Sequence, residues 1–187
     1  MKKHSIALLL LLVLLTGCGA KTEEAPWQTA YRETGKYLQE QDALSAGSVG
    51  GEWAVIGLSR AGLLTDKTAV AYEQTAADYA AGAVSGRLDR AKSTENSRTI
   101  LGLTAAGYNA AAVAGVDLTS GLSDMNYLRI QGLNGPIWAL IALDCHGYDI
   151  PQCAEGGEQT TRAGLVAEIL TSQCSDGGWT LAGDTAD

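Results

Sequence analysis

Few residues of this 187-residue chain have side-chain types that do nucleophilic or acid–base chemistry near neutral pH. There are two histidines, His4 and His146, and four cysteines. The densest cluster is Asp144-Cys145-His146. Consecutive residues on a helix diverge by about 100°, so these three do not converge on one metal ion. Cys145 and His146 also make a poor nucleophile–base pair, because that chemistry needs side chains that face each other. Cys153 or Cys174 could complete a metal set with them, but no spacing selects one. The segment Gly57-Leu58-Ser59-Arg60-Ala61-Gly62 is one residue away from a nucleophile elbow, yet it lies inside an apolar repeat, and packing accounts for it. No catalytic residue, metal or cofactor is assigned.

What remains is recognition. Trp53, Trp138 and Trp179 stand at the starts of apolar segments or at their entry turns, and Arg98 holds the matching place in a second segment. With the neighbouring Glu52, they are the candidate ligand-contacting residues. Wedge packing of the indoles is the competing reading.

The elements that must position these residues come from a repeat. Residues 53–62, 98–107 and 138–147 align as x-[AT]-[VIL]-[IL]-[GA]-L-x-x-x-G. Each is apolar nearly all round, which predicts a buried helix. Each closes on a glycine suited to a left-handed C′ position. Gly57, Gly102 and Ala142 should allow close backbone approach. Between the repeats, Trp27, Tyr31, Thr34 and Leu38 fall at helical spacing. So do Ala69, Tyr72, Ala76, Tyr79 and Ala83, and again Ala163, Val166, Ile169 and Leu170. Asp117–Leu128 fits a shorter helix. Thr65 or Asp66 is the expected cap of the second outer helix, and Asn96 or Ser97 that of the second inner one. The predicted order is outer, inner, outer, inner, outer, inner, outer, with almost no sheet. Glycine contributes 23 residues and phenylalanine none, so the core must be built from Leu, Ile, Val, Ala and a few Trp and Tyr. The formal net charge of −8 argues against nucleic acid as a partner.

The N-terminus reads as an address. Lys2 and Lys3 precede a ten-residue apolar run, Ile6–Leu15, which is shorter than the roughly 20 residues that span a bilayer. This is the pattern of an export signal. Its end, Leu15-Thr16-Gly17-Cys18, resembles the lipobox of bacterial lipoproteins. That resemblance implies cleavage before Cys18, lipidation of its thiol, and anchoring to the outer side of the cell membrane. Residues 1–17 are then the signal peptide, 18–26 a lipidated tether and 27–187 the folded domain. Loss of residues 1–17 removes two lysines and no acid, so the exported body is more acidic still.

The segment Gln173-Cys174-Ser175-Asp176-Gly177-Gly178-Trp179 resembles the QW motif, Q-x-x-x-G-x-W, of the α/α-toroid superfamily of terpene (squalene) cyclases and protein prenyltransferases. Gly50-Gly51-Glu52-Trp53 is a fainter echo. The resemblance implies an all-α toroid of helical hairpins, of which this chain carries about three and a half. A completing C-terminal part is then a possible partner. The acidic Asp-x-Asp-Asp motif of the cyclases is absent, and Asp184-Thr-Ala-Asp187 does not replace it. The zinc pattern of the prenyltransferases and any Asp-rich diphosphate motif are also missing. The leading expectation is a non-catalytic binding or surface module for an unknown small molecule or surface partner. The alternatives are an incomplete or degenerate enzyme of the cyclase or prenyltransferase type, and a polysaccharide-acting toroid enzyme using acids such as Glu52, Asp176 and Asp184.

Cysteine arithmetic adds one expectation. Beyond Cys18 three cysteines remain, an odd number in an oxidising location. Cys145 and Cys153 are the favoured disulfide pair, closing a loop of about nine residues, with Cys174 left over. Three reduced thiols are the alternative.

Overall fold

The computed structural model describes residues 24–41, 44–48, 50–180 and 185–186. The expected signal segment, Cys18 and most of the tether lie outside the described residues, as does Asp184. The chain divides into two units, residues 1–34 and 35–187.

The first unit holds most of helix α1 (Pro26–Gln39). Ala25 N–H donates to Gln28 Oε1 at 2.9 Å, and Arg32 pairs with Glu24 across the first turns. The expected buried stripe is not made here. Trp27 is 68% and Tyr31 53% exposed, and Gly35 is the one buried residue of α1.

The second unit contains α2 (Gly51–Arg60), α3 (Asp66–Ala80), α4 (Ser93–Ala105), a 3-10 turn (Leu118–Leu122), α5 (Met125–Leu128), a second 3-10 turn (Arg129–Gln131), α6 (Asn134–Asp144) and α7 (Arg162–Thr171). Among the described residues there is no strand longer than an isolated bridge, so the all-α expectation holds. Helices α2, α4 and α6 carry the three repeats. Helix α4 is central and packs against both α2 and α6, while α3 lies on α4 and α7 on α6.

The repeat makes the core and the helix ends for separable reasons. Its sixth position, Leu58, Leu103 and Leu143, is buried in all three copies, and so is its second, Ala54, Thr99 and Ala139. Its glycine ends each helix in the same way. Gly62, Gly107 and Gly147 have φ of 67°, 87° and 65°. The next residue's N–H reaches back to the repeated leucine: Leu63 to Leu58, Tyr108 to Leu103 and Tyr148 to Leu143, at 2.8–2.9 Å. These are Schellman motifs, and they satisfy helix-end carbonyls that would otherwise be orphaned.

Outer elements are capped by short polar side chains. Thr65 Oγ1 accepts from Thr68 N–H and Thr161 Oγ1 from Gly164 N–H. The stretch expected as one helix, Asp117–Leu128, is instead two short pieces. Asp117 caps the 3-10 turn through Thr119 N–H, and Asp124 caps α5 through Asn126 N–H. Each aspartate starts a new helical turn, which breaks the segment.

Two further expectations are corrected. Asn96 and Ser97 do not cap the second inner helix, because α4 begins earlier, at Ser93. Asn96 is buried and bonds Gly86 O, Leu118 O and Leu88 N–H. The small fifth position of the repeat does not serve backbone approach uniformly. Gly57 is exposed with open space beside it, whereas Gly102 makes room for the Tyr72 phenol, and a Cβ there would meet its hydroxyl. Cys145, Cys153 and Cys174 are free cysteines in this structure. Cys145 Sγ turns back on its own helix, donating to Ala142 O at 3.1 Å.

Candidate functional site

The first position of the repeat gathers at one end of the inner helices. Trp53 of α2 and Trp138 of α6 stand on either side of α4, and their rings meet at a centroid distance of 5.4 Å with planes tilted by 54°. Arg98 of α4 lies with them. Together with Thr94, Glu95, Gln131 and Asn134 they line a cleft of about 280 Å³. Three of the five sequence candidates therefore share one site. They do so because successive inner helices run in the same direction, so that equivalent positions come to the same end.

An ion pair lines the same cleft. Arg98 Nη2 donates to Glu95 Oε2 at 2.6 Å, and the two side chains are 19% and 17% exposed. Tyr79 Oη donates to the same carboxylate oxygen at 3.4 Å. Burial, and then the Glu95 carboxylate, push the Tyr79 phenol up to about 12, so it remains a donor throughout the ordinary pH range. On the other side Gln131 Oε1 accepts from Thr94 N–H at 2.9 Å and from Ser93 Oγ at 3.3 Å. That contact satisfies a free N–H of the first α4 turn and leaves the Gln131 amide NH₂ as a donor.

Glu52 and Trp179 are placed elsewhere. Glu52 is fully buried and does not line the cleft. Its Oε1 accepts from Gly47 N–H at 2.6 Å, and its Oε2 has no partner. The Tyr72 hydroxyl and Arg98 Nε are likewise buried without partners. Burial first, and then the Glu52 carboxylate, raise the Tyr72 phenol far above its usual range, with Arg98 opposing. Glu52, Tyr72 and Arg98 thus form an electrostatically coupled polar patch in the core.

Trp179 belongs to its own turn. Gln173 Nε2 donates to Gly177 O at 2.6 Å, and Trp179 Nε1 donates to Ile169 O at 2.8 Å. Cys174 N–H closes the turn on Gly178 O. The glutamine and the tryptophan therefore staple the chain to the C-terminal end of α7.

Sequence reasoning missed Thr94, Glu95, Gln131 and Asn134. Thr94 and Glu95 lie four and three residues before the aligned repeat, and α4 starts before it. An Arg98 one turn after Glu95 was the available signal, since i,i+3 pairs of opposite charge face each other. Among the described residues no three His, Cys, Asp or Glu side chains, those of Asp144-Cys145-His146 included, come together as a metal site. His146 instead packs on Tyr148, at a ring distance of 5.3 Å.

No family model matches the chain, and no curated protein or solved structure matches it.

Proposed function

We propose that this chain is an exported, lipid-anchored binding module, built as an array of helical hairpins akin to the α/α toroids, whose ligand is held at the mouth formed by Trp53, Arg98 and Trp138. The carrying observation is the convergence of the repeat's first position from three helices on one cleft. An indole pair beside a charged couple is a recognition surface: it offers apolar faces and directed hydrogen bonds together. The Cys18 lipobox supports the anchored location. Among the described residues no helix is long and apolar enough to cross a membrane, so attachment in this reading rests on the lipid.

The test is a titration of the full chain with a mixed panel of small neutral and charged fragments, followed through the indole N–H resonances. The Trp53 and Trp138 signals should move together while those of Trp27 and Trp179 stay still. Shifts confined to residues outside the cleft would contradict the proposal.

A further inference from the structure

The geometry points to a saccharide ring as the ligand of the Trp53–Trp138 cleft, an inference that rests on the binding reading above and names its chemical class. Three properties of the lining select this class.

The first is the pairing of exposed aromatic surface with hydrogen-bonding groups. Trp53 is 43% exposed, and its ring and that of Trp138 form a tilted, open pair. A pyranose presents an apolar face of C–H groups to such a ring and a rim of hydroxyls to polar neighbours, as aromatic-lined sites with a few placed polar groups require.

The second is the balance of donors and acceptors. Asn134 and the Gln131 NH₂ supply donors, Glu95 supplies acceptor oxygens, and Thr94 supplies a hydroxyl that does both. Hydroxyl groups use donors and acceptors alike. The Arg98–Glu95 pair is internally neutralised, so the cleft holds no uncompensated charge that would demand an ionic ligand.

The third is size. At about 280 Å³ the cleft lies just under the roughly 300–1,000 Å³ of sites for drug-sized ligands. It accepts one ring with its substituents. An extended proline-rich peptide also docks on aromatic surfaces, but at about 3.1 Å per residue it needs an elongated groove.

The experiment uses the full 187-residue chain in a sugar-free detergent, with chitotriose, cellotriose and maltotriose as probes and a proline-rich decapeptide beside them. Binding is followed by tryptophan fluorescence and by the indole N–H resonances. At least one trisaccharide should shift the Trp53 and Trp138 signals saturably. Trp138→Ala and Asn134→Ala should weaken that binding tenfold or more, and Trp179→Ala less than twofold. Thermal melts of the variants keep loss of binding apart from loss of fold; Asn134 is exposed, and its truncation spares the core. A response to the peptide and to no saccharide overturns the saccharide assignment and leaves the binding module standing. No cleft response to any trisaccharide or to the peptide overturns the saccharide assignment. If the mixed fragments also leave the indoles unmoved, the binding module falls with it.

Discussion

Tyr72 and Gly102 illustrate how single residues set this core. The Tyr72 ring is fully buried, its hydroxyl has no partner, and the missing side chain of Gly102 is what admits it. An unpartnered buried hydroxyl costs desolvation without return. Tyr72→Phe is therefore expected to leave stability unchanged or raise it by up to about 1 kcal/mol. Gly102→Ala should lower stability by about 1–3 kcal/mol through overpacking, despite the helix propensity that alanine adds. Chemical denaturation of the two variants and of the double variant checks this. The double variant should recover part of the Gly102→Ala loss, though the Tyr72 Cζ would still lie 2.8 Å from the added Cβ.

Asp124 is a second informative residue. It accepts from Asn126 N–H and Glu158 N–H and pairs with Arg87 at 2.8 Å. Burial pushes its carboxyl up, but those two backbone donors and the guanidinium together outweigh it and hold it below 3.8. A carboxyl lowered in the folded state contributes stability that is present above its unfolded pKa and is lost as pH falls through its folded one. Asp124→Asn should cost about 1–2 kcal/mol at pH 7. In melts down to about pH 2 the gap to the parent should close on the acid side of 3.8. A gap independent of pH would contradict the assigned role.

The inner helix with its closing glycine is the unit that the sequence makes most legible. The glycine needs positive φ whatever surrounds it, and the leucine five residues before the returning N–H is buried in every copy. Both constraints are local, so a pattern of residue types records them. A Cβ on Gly62, Gly107 or Gly147 would meet nothing within 4 Å. Replacing any of the three with alanine should therefore cost only the left-handed backbone strain, about 1–2 kcal/mol. Denaturant midpoints should fall by similar amounts in all three, and a cost confined to one of them would show that the ends are not equivalent. Other features were less legible because they depend on neighbours distant in the chain. The stripe on α1 has the spacing of a buried face, yet Trp27 and Tyr31 are exposed; periodicity states that a face exists, not that something covers it. The glutamine–tryptophan turn was recognisable from its spacing, but only the path of the chain decides whether Trp179 reaches the cleft. Gln131 and Asn134 carry no local signature, since they matter only because α2, α4 and α6 come together at one end.

At the scale of the whole molecule, the proposed anchor and the proposed cleft make separate claims. The lipobox reading predicts that the parent chain partitions to membranes and that Cys18→Ala does not, as membrane fractionation would show; equal partition of both would contradict it. The central claim concerns architecture: three repeats run in register, so their first residues meet at one mouth. The two indoles of that mouth, 5.4 Å apart and tilted by 54°, form an exciton-coupled pair. Far-ultraviolet circular dichroism of the full chain should therefore show a tryptophan couplet that disappears in Trp53→Phe and in Trp138→Phe and persists in Trp27→Phe and Trp179→Phe. A couplet that survives the first two substitutions, or a parent chain with none, would contradict the account.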